Sequence, residues 1–141
     1  MFIGADGHIR LADFGLAKEK IRYGELNHTF CGSVAYLPPE VVNKSGHNKT
    51  IDWYLLGELL YEMLYGTPPF YDGSKETLFD NILHKPLTFP AEPEVSDYLK
   101  AFIASLLDRN IEYRLGSKYG CKEIMEHAFF VGIDWSRVYN K

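Results

Sequence analysis

Apolar and polar residues alternate in period two only near the start of the chain, where Gly7-His8-Ile9-Arg10-Leu11-Ala12 predicts a short strand following a turn at Asp6-Gly7. From Thr50 to Gly66 the run Ile-Asp-Trp-Tyr-Leu-Leu-Gly-Glu-Leu-Leu-Tyr-Glu-Met-Leu-Tyr is apolar nearly all the way round, which predicts a helix buried on most faces. Thr50 is its expected N-cap, and Gly66 followed by Pro68-Pro69 ends it. Lys75 to Leu83 predicts a second helix, after which Lys85-Pro86 and Phe89-Pro90 break the chain into a loop. Between Ser96 and Leu107, apolar Leu99, Phe102, Ile103, Leu106 and Leu107 have the one-sided spacing of a helix packed on a core. Cys121 to His127 predicts a final short helix. With strand signal confined to the first dozen residues, the fold is expected to be mainly α.

The 141 residues suit one domain with enough aliphatic and aromatic side chains for an ordinary core. The net charge of -4 comes without any Lys/Arg run, so neither nucleic acid nor an anionic membrane surface is indicated as a partner. No apolar stretch reaches the roughly eighteen residues of a membrane span, and no basic region leads into an apolar one at the N-terminus, so no membrane insertion is expected. Cys31 and Cys121 lie too far apart for a metal-ligand pair and form no disulfide framework. A reducing compartment, cytoplasmic or nuclear, is the expectation. His8, His28, His47, His84 and His127 fall in loops, turns and helix ends and are read as structural.

Against this background several motifs occur in one order: Asp13-Phe14-Gly15, Thr29-Phe30-Cys31-Gly32-Ser33, Tyr36-Leu37-Pro38-Pro39-Glu40, Gly46 through Trp53, and Tyr113-Arg114-Leu115-Gly116. Together they make the chain resemble the C-terminal lobe of an AGC-group serine/threonine protein kinase over essentially its whole length. The first and third bracket the activation segment in that family. The resemblance implies a mainly α kinase-like C-terminal lobe over residues 1–132, with a β-hairpin remnant at the N-terminus and no small lobe. Residues 133–141, from Ile133-Asp134-Trp135, resemble the start of the family's C-terminal tail, and His127-Ala128-Phe129-Phe130 the closing motif of the lobe.

What the resemblance implies about chemistry is specific. ATP and Mg²⁺ are the family's cofactors, and Asp13 matches the carboxylate that holds the metal while the ion bridges phosphate oxygens. Phe14 and Gly15 complete this cofactor-binding tripeptide, with Phe14 packing inward. Thr29 aligns with the activation-loop phosphorylation site, where added negative charge orders the loop, and Lys18 with a residue that contacts that phosphate. Ser33 and Glu62 match substrate-binding positions, although alone they read as a turn serine and a solvated helix glutamate. Glu40 and Arg114 match a buried ion pair anchoring the activation segment. Asp52 matches the aspartate that holds the catalytic loop, and without that loop it is expected as a buried carboxylate.

Other parts of the family's machinery have no counterpart in these residues: the Gly-rich loop, the ATP-binding Lys and the catalytic base Asp. No catalytic residue is therefore assigned. The expectation is a fragment of a kinase that transfers the ATP γ-phosphoryl group to protein Ser or Thr, inactive by itself, whose partners are protein substrates and an upstream activating kinase. The alternative is a non-catalytic module that binds substrates or the upstream kinase. Departures from the family pattern include Val34-Ala35, Pro38-Pro39 before Glu40, and Tyr54-Leu55 in the long helix. The first removes a glutamate and weakens the inference of a basic substrate preference.

Overall fold

The computed structural model describes residues 1–15, 17, 18, 26 and 34–140. Helices dominate it. Two strands of two residues each, β1 (Phe2–Ile3) and β2 (Ile9–Arg10), pair antiparallel with Phe2 opposite Arg10 and Ile3 opposite Ile9. The predicted strand is thus shorter than its alternating pattern, and all four of its paired residues are exposed. The turn between them closes through Gly7 N–H donating to the Gly4 carbonyl at 2.8 Å.

A 3-10 turn at Val34–Tyr36 leads into α1 (Pro39–Val42). The double proline starts this helix: Pro38 is held extended by the proline after it, and Pro39 needs no N–H in the first turn. The long helix α2 (Thr50–Tyr65) follows, then α3 (Lys75–His84), α4 (Asp97–Leu106), α5 (Cys121–Glu126), a 3-10 turn at Ala128–Phe130, and α6 (Trp135–Asn140). Thr50 is not the N-cap of α2 but its first residue; Lys49 holds the cap position without a side-chain bond, and Asn48 Oδ1 accepts the Thr50 N–H at 2.9 Å. Gly66 ends the helix in the left-handed conformation at φ 79°.

Helix α2 is the axis of the core. Its Tyr54 and Tyr61 pack with Phe70, Leu78, Ile82 and Ile103. A second cluster joins Phe102, Leu106 and Ile124 to Phe129 and Phe130 of the closing motif. Gly57 permits the close approach of α2 and α4, since a Cβ there would stand 2.9 Å from the Leu106 Cβ. Ser74 and Ser96 cap α3 and α4 with their hydroxyls. At the other end of α3, Arg109 donates from Nε to the Ile82 carbonyl at 2.7 Å and from Nη2 to the Lys85 carbonyl, and its Nη2 also reaches the Asn81 carbonyl that the Lys85 N–H already meets.

The stretch resembling the start of a C-terminal tail is the short helix α6. Trp135 anchors it, donating from Nε1 to the Met125 carbonyl at 3.3 Å and packing its ring on Phe130. At its far end the Val138 carbonyl lies 3.0 Å from His8 Nε2, tying the last helix to the N-terminal hairpin. Among the described residues, no helix is long and apolar enough to cross a membrane.

Candidate functional site

Asp13 stands just beyond β2 with φ 66°, a left-handed conformation that few non-glycine residues adopt. Its carboxylate is exposed at the end of the hairpin, beside the open backbone of Gly15. Phe14 does not pack inward as expected: its ring is 67 % exposed. It forms one wall of a groove of about 710 Å³ together with Leu11, Ala17 and the α2 residues Trp53, Leu55, Leu56 and Leu59. The half-buried α2 residues that line this groove correct the expectation of a helix covered on most faces.

Asp52 also lines the groove and is exposed, against the expectation of burial, because the first turn of α2 points it outward between Met1 and Trp53. The surrounding protein still removes enough water to raise its carboxyl above the ordinary range. Lys18 is exposed, three residues past Gly15. Thr29 and Ser33 lie outside the described residues, as does Cys31.

Glu40 and Arg114 come together in full burial. Arg114 donates from Nη1 to Glu40 Oε1 at 2.7 Å and from Nη2 to Oε2 at 2.8 Å, a bidentate pair. It donates further from Nε to the Asp108 carbonyl at 2.9 Å and from Nη1 to the Thr50 carbonyl at 3.2 Å. The guanidinium carbon lies 4.9 Å from the Tyr54 ring centroid. Arg114 therefore fastens α1 to the start of α2 and to the turn after α4.

Glu62 is half-buried, and Tyr36 of the first 3-10 turn donates its hydroxyl to Glu62 Oε2 at 2.5 Å. That bond, then desolvation, holds the Tyr36 proton more tightly than a free phenol would. One helical turn earlier, Glu58 is 1 % exposed, and its Oε2 has no hydrogen-bond partner among the described residues. Burial, reinforced by the Glu62 charge and opposed by Arg114, pushes its carboxyl up to about 8. Neither the Tyr36–Glu62 contact nor the burial of Glu58 is legible in the sequence, where Glu58 reads as one polar position in an apolar helix.

Comparison with known proteins bears on this arrangement. The Protein kinase domain family matches residues 1–130. The chain belongs to the protein kinase domain family. The chain is similar to human serine/threonine-protein kinase Sgk1, 43 % identical over all 141 residues, which make up 32 % of that protein. It is equally similar to Sgk1-B of Xenopus laevis, 43 % identical over the same 141 residues and 32 % of that protein. Rat Sgk3 is 45 % identical over 135 residues, 96 % of this chain and 27 % of that protein. The chain spans about a third of the length of the curated relatives it matches.

A magnesium ion and ATP, the cofactors of kinases generally, can be tested against the residues present. Asp13 offers the hard carboxylate oxygen that Mg²⁺ prefers. Among the described residues, however, no three His, Cys, Asp or Glu side chains converge to hold a metal. Asp13 could supply one oxygen ligand to such an ion, and the described residues would not complete its coordination.

Proposed function

We propose that this chain forms the lower part of the catalytic lobe of a serine/threonine kinase. The whole protein would transfer the ATP γ-phosphoryl group to a Ser or Thr hydroxyl with Mg²⁺. Within it Asp13 would hold the metal, Phe14 and Gly15 would shape the loop that carries it, and Asp52 would support the catalytic loop. The observation that carries this reading is the buried pair of Arg114 and Glu40, which ties the end of the activation segment to α2 in one geometry. An anchor of that kind serves specificity of conformation more than net stability.

Thr29 and Lys18 would form the regulatory part, with an upstream kinase modifying Thr29 and Lys18 pairing with the added phosphate. Ser33 and Glu62 would meet the protein substrate. Glu62 is suited to this, because Tyr36 fixes one carboxylate oxygen while the residue keeps part of its surface in water. That surface also supports a second reading, a non-catalytic module that presents Glu62 and α3 to substrates or to the upstream kinase. We place either form in the cytoplasm or nucleus.

The 141 residues themselves would not catalyse transfer, since positioning and charge stabilisation in phosphoryl transfer come from several groups acting together. Purified chain given Mg²⁺-ATP should show neither thermal stabilisation nor transfer to a Ser/Thr peptide. Metal-dependent transfer that Asp13→Ala abolishes would contradict this.

A further inference from the structure

Along α2, Tyr54, Glu58 and Glu62 succeed one another at intervals of four and share one strip of the helix. The strip runs from the core to the surface. Tyr54 and Glu58 are fully buried, and both the Tyr54 hydroxyl and Glu58 Oε2 lack hydrogen-bond partners among the described residues. Glu62 reaches the surface with one oxygen already taken by Tyr36. Among the described residues, the charged and titratable groups acting on this strip are Tyr36 from the 3-10 turn, Arg114 from the segment before α5, Glu40 from α1 and Arg109 from the turn after α4. Arg114, the cation that acts on Glu58, is already neutralised by Glu40, and Arg109 is engaged on the carbonyls of α3. Among the described residues, Glu58 therefore faces the negative charge of Glu62 with no committed cation of its own, which favours its protonated form.

We infer that Glu58 is a concealed second carboxyl of the Glu62 docking site: a guanidinium or ammonium group seated on Glu62 lets Glu58 ionise behind it, so that basic peptides bind with release of a proton. The Glu58 O–H bond breaks, the electron pair stays on the carboxylate, and the proton passes to solvent. This rests on the proposed reading of Glu62 as a peptide-docking residue. A cation on Glu62 cancels the like charge that helps keep Glu58 neutral. By reciprocity, ionised Glu58 strengthens the hold on the cation. Affinity for a basic peptide should then climb as pH passes through the range near 8 where Glu58 titrates.

The test uses the 141-residue chain and an acetylated, amidated peptide carrying one Arg among Gly and Ser, with citrulline in its place as control. Calorimetry at about pH 8 in two buffers of different ionisation enthalpy should show buffer-dependent heat, the sign of a released proton. Affinity should rise on the order of threefold to tenfold between about pH 7 and 9, as half to one unit of coupling implies. Glu58→Gln should bind with the affinity the unaltered chain has at about pH 7 and lose both effects. Buffer-independent heat in the unaltered chain would overturn the inference without recourse to any variant. So would a Glu58→Gln chain that keeps the pH dependence, provided Glu62→Gln weakens binding. If Glu62→Gln leaves binding unchanged, or citrulline binds as well as Arg, the docking reading itself fails and the inference falls with it.

Discussion

Arg114 grips Glu40 through both terminal nitrogens, at 2.7 and 2.8 Å, across seventy-four residues of sequence and with neither side chain more than 4 % exposed. The same guanidinium holds the Thr50 and Asp108 carbonyls, so one side chain joins α1, the start of α2 and the turn after α4. Removing it strands the buried Glu40 carboxylate. Arg114→Ala should lower unfolding free energy by about 3–5 kcal/mol in urea denaturation. A smaller loss in Glu40→Gln, whose amide still accepts from Arg114, would agree with this account; equal losses of under about 1 kcal/mol would not.

Glu58 makes folding stability depend on pH. Its carboxyl titrates near 8 in the folded chain and near 4.5 when unfolded, so between those values the folded state holds a proton that the unfolded state has released. Its contribution is fully present below about pH 4.5 and is lost as pH rises through about 8. The slope can reach about 1.4 kcal/mol per pH unit, the linkage of one proton. Chemical denaturation from about pH 5 to 8.5 should show stability falling in the unaltered chain and a flatter profile in Glu58→Gln.

Gly57 leaves no space for a side chain. A Cβ would meet Leu106 Cβ at 2.9 Å and Leu107 Cγ at 3.0 Å, so α2 and α4 would have to separate. Gly57→Ala should cost about 1–3 kcal/mol as overpacking, even though alanine favours helix, and thermal unfolding would register it.

Arg109 closes the C-terminal end of α3 and stacks 5.0 Å from the Phe70 ring centroid. Arg109→Ala should destabilise the chain by about 1–3 kcal/mol, since it takes away the donor that meets the Ile82 and Lys85 carbonyls. Hydrogen exchange should quicken first in the last turn of α3, where the loss is local.

Much of this architecture is legible in the order of the residues alone. The periodicity of residues 96–107 and the apolar run after Thr50 place α4 and α2 to within a residue or two. The prolines before Glu40 give no helical periodicity to read, because proline forbids a helix interior yet favours its first turn, and α1 is little more than that turn. Phe14 and Asp52 are expected inside and lie exposed, because burial depends on what packs against a residue, which its own neighbours in sequence do not encode. The Glu40–Arg114 pair is visible only through family resemblance. The grip of Arg109 on α3 and of Tyr36 on Glu62 join residues 26 to 28 apart in sequence and have no periodic signature.

The central claim is that these residues form a working lower lobe of a serine/threonine kinase, with Asp13 as its metal ligand. Replacing the matching segment of human Sgk1 with this chain, and measuring Mg²⁺-dependent phosphotransfer to a Ser/Thr peptide, tests it most directly. The account predicts transfer by the chimera, reduced at least about a hundredfold, or about 2.7 kcal/mol in the barrier, by Asp13→Ala. A folded chimera that transfers equally well with and without the Asp13 carboxylate, or not at all, would contradict it.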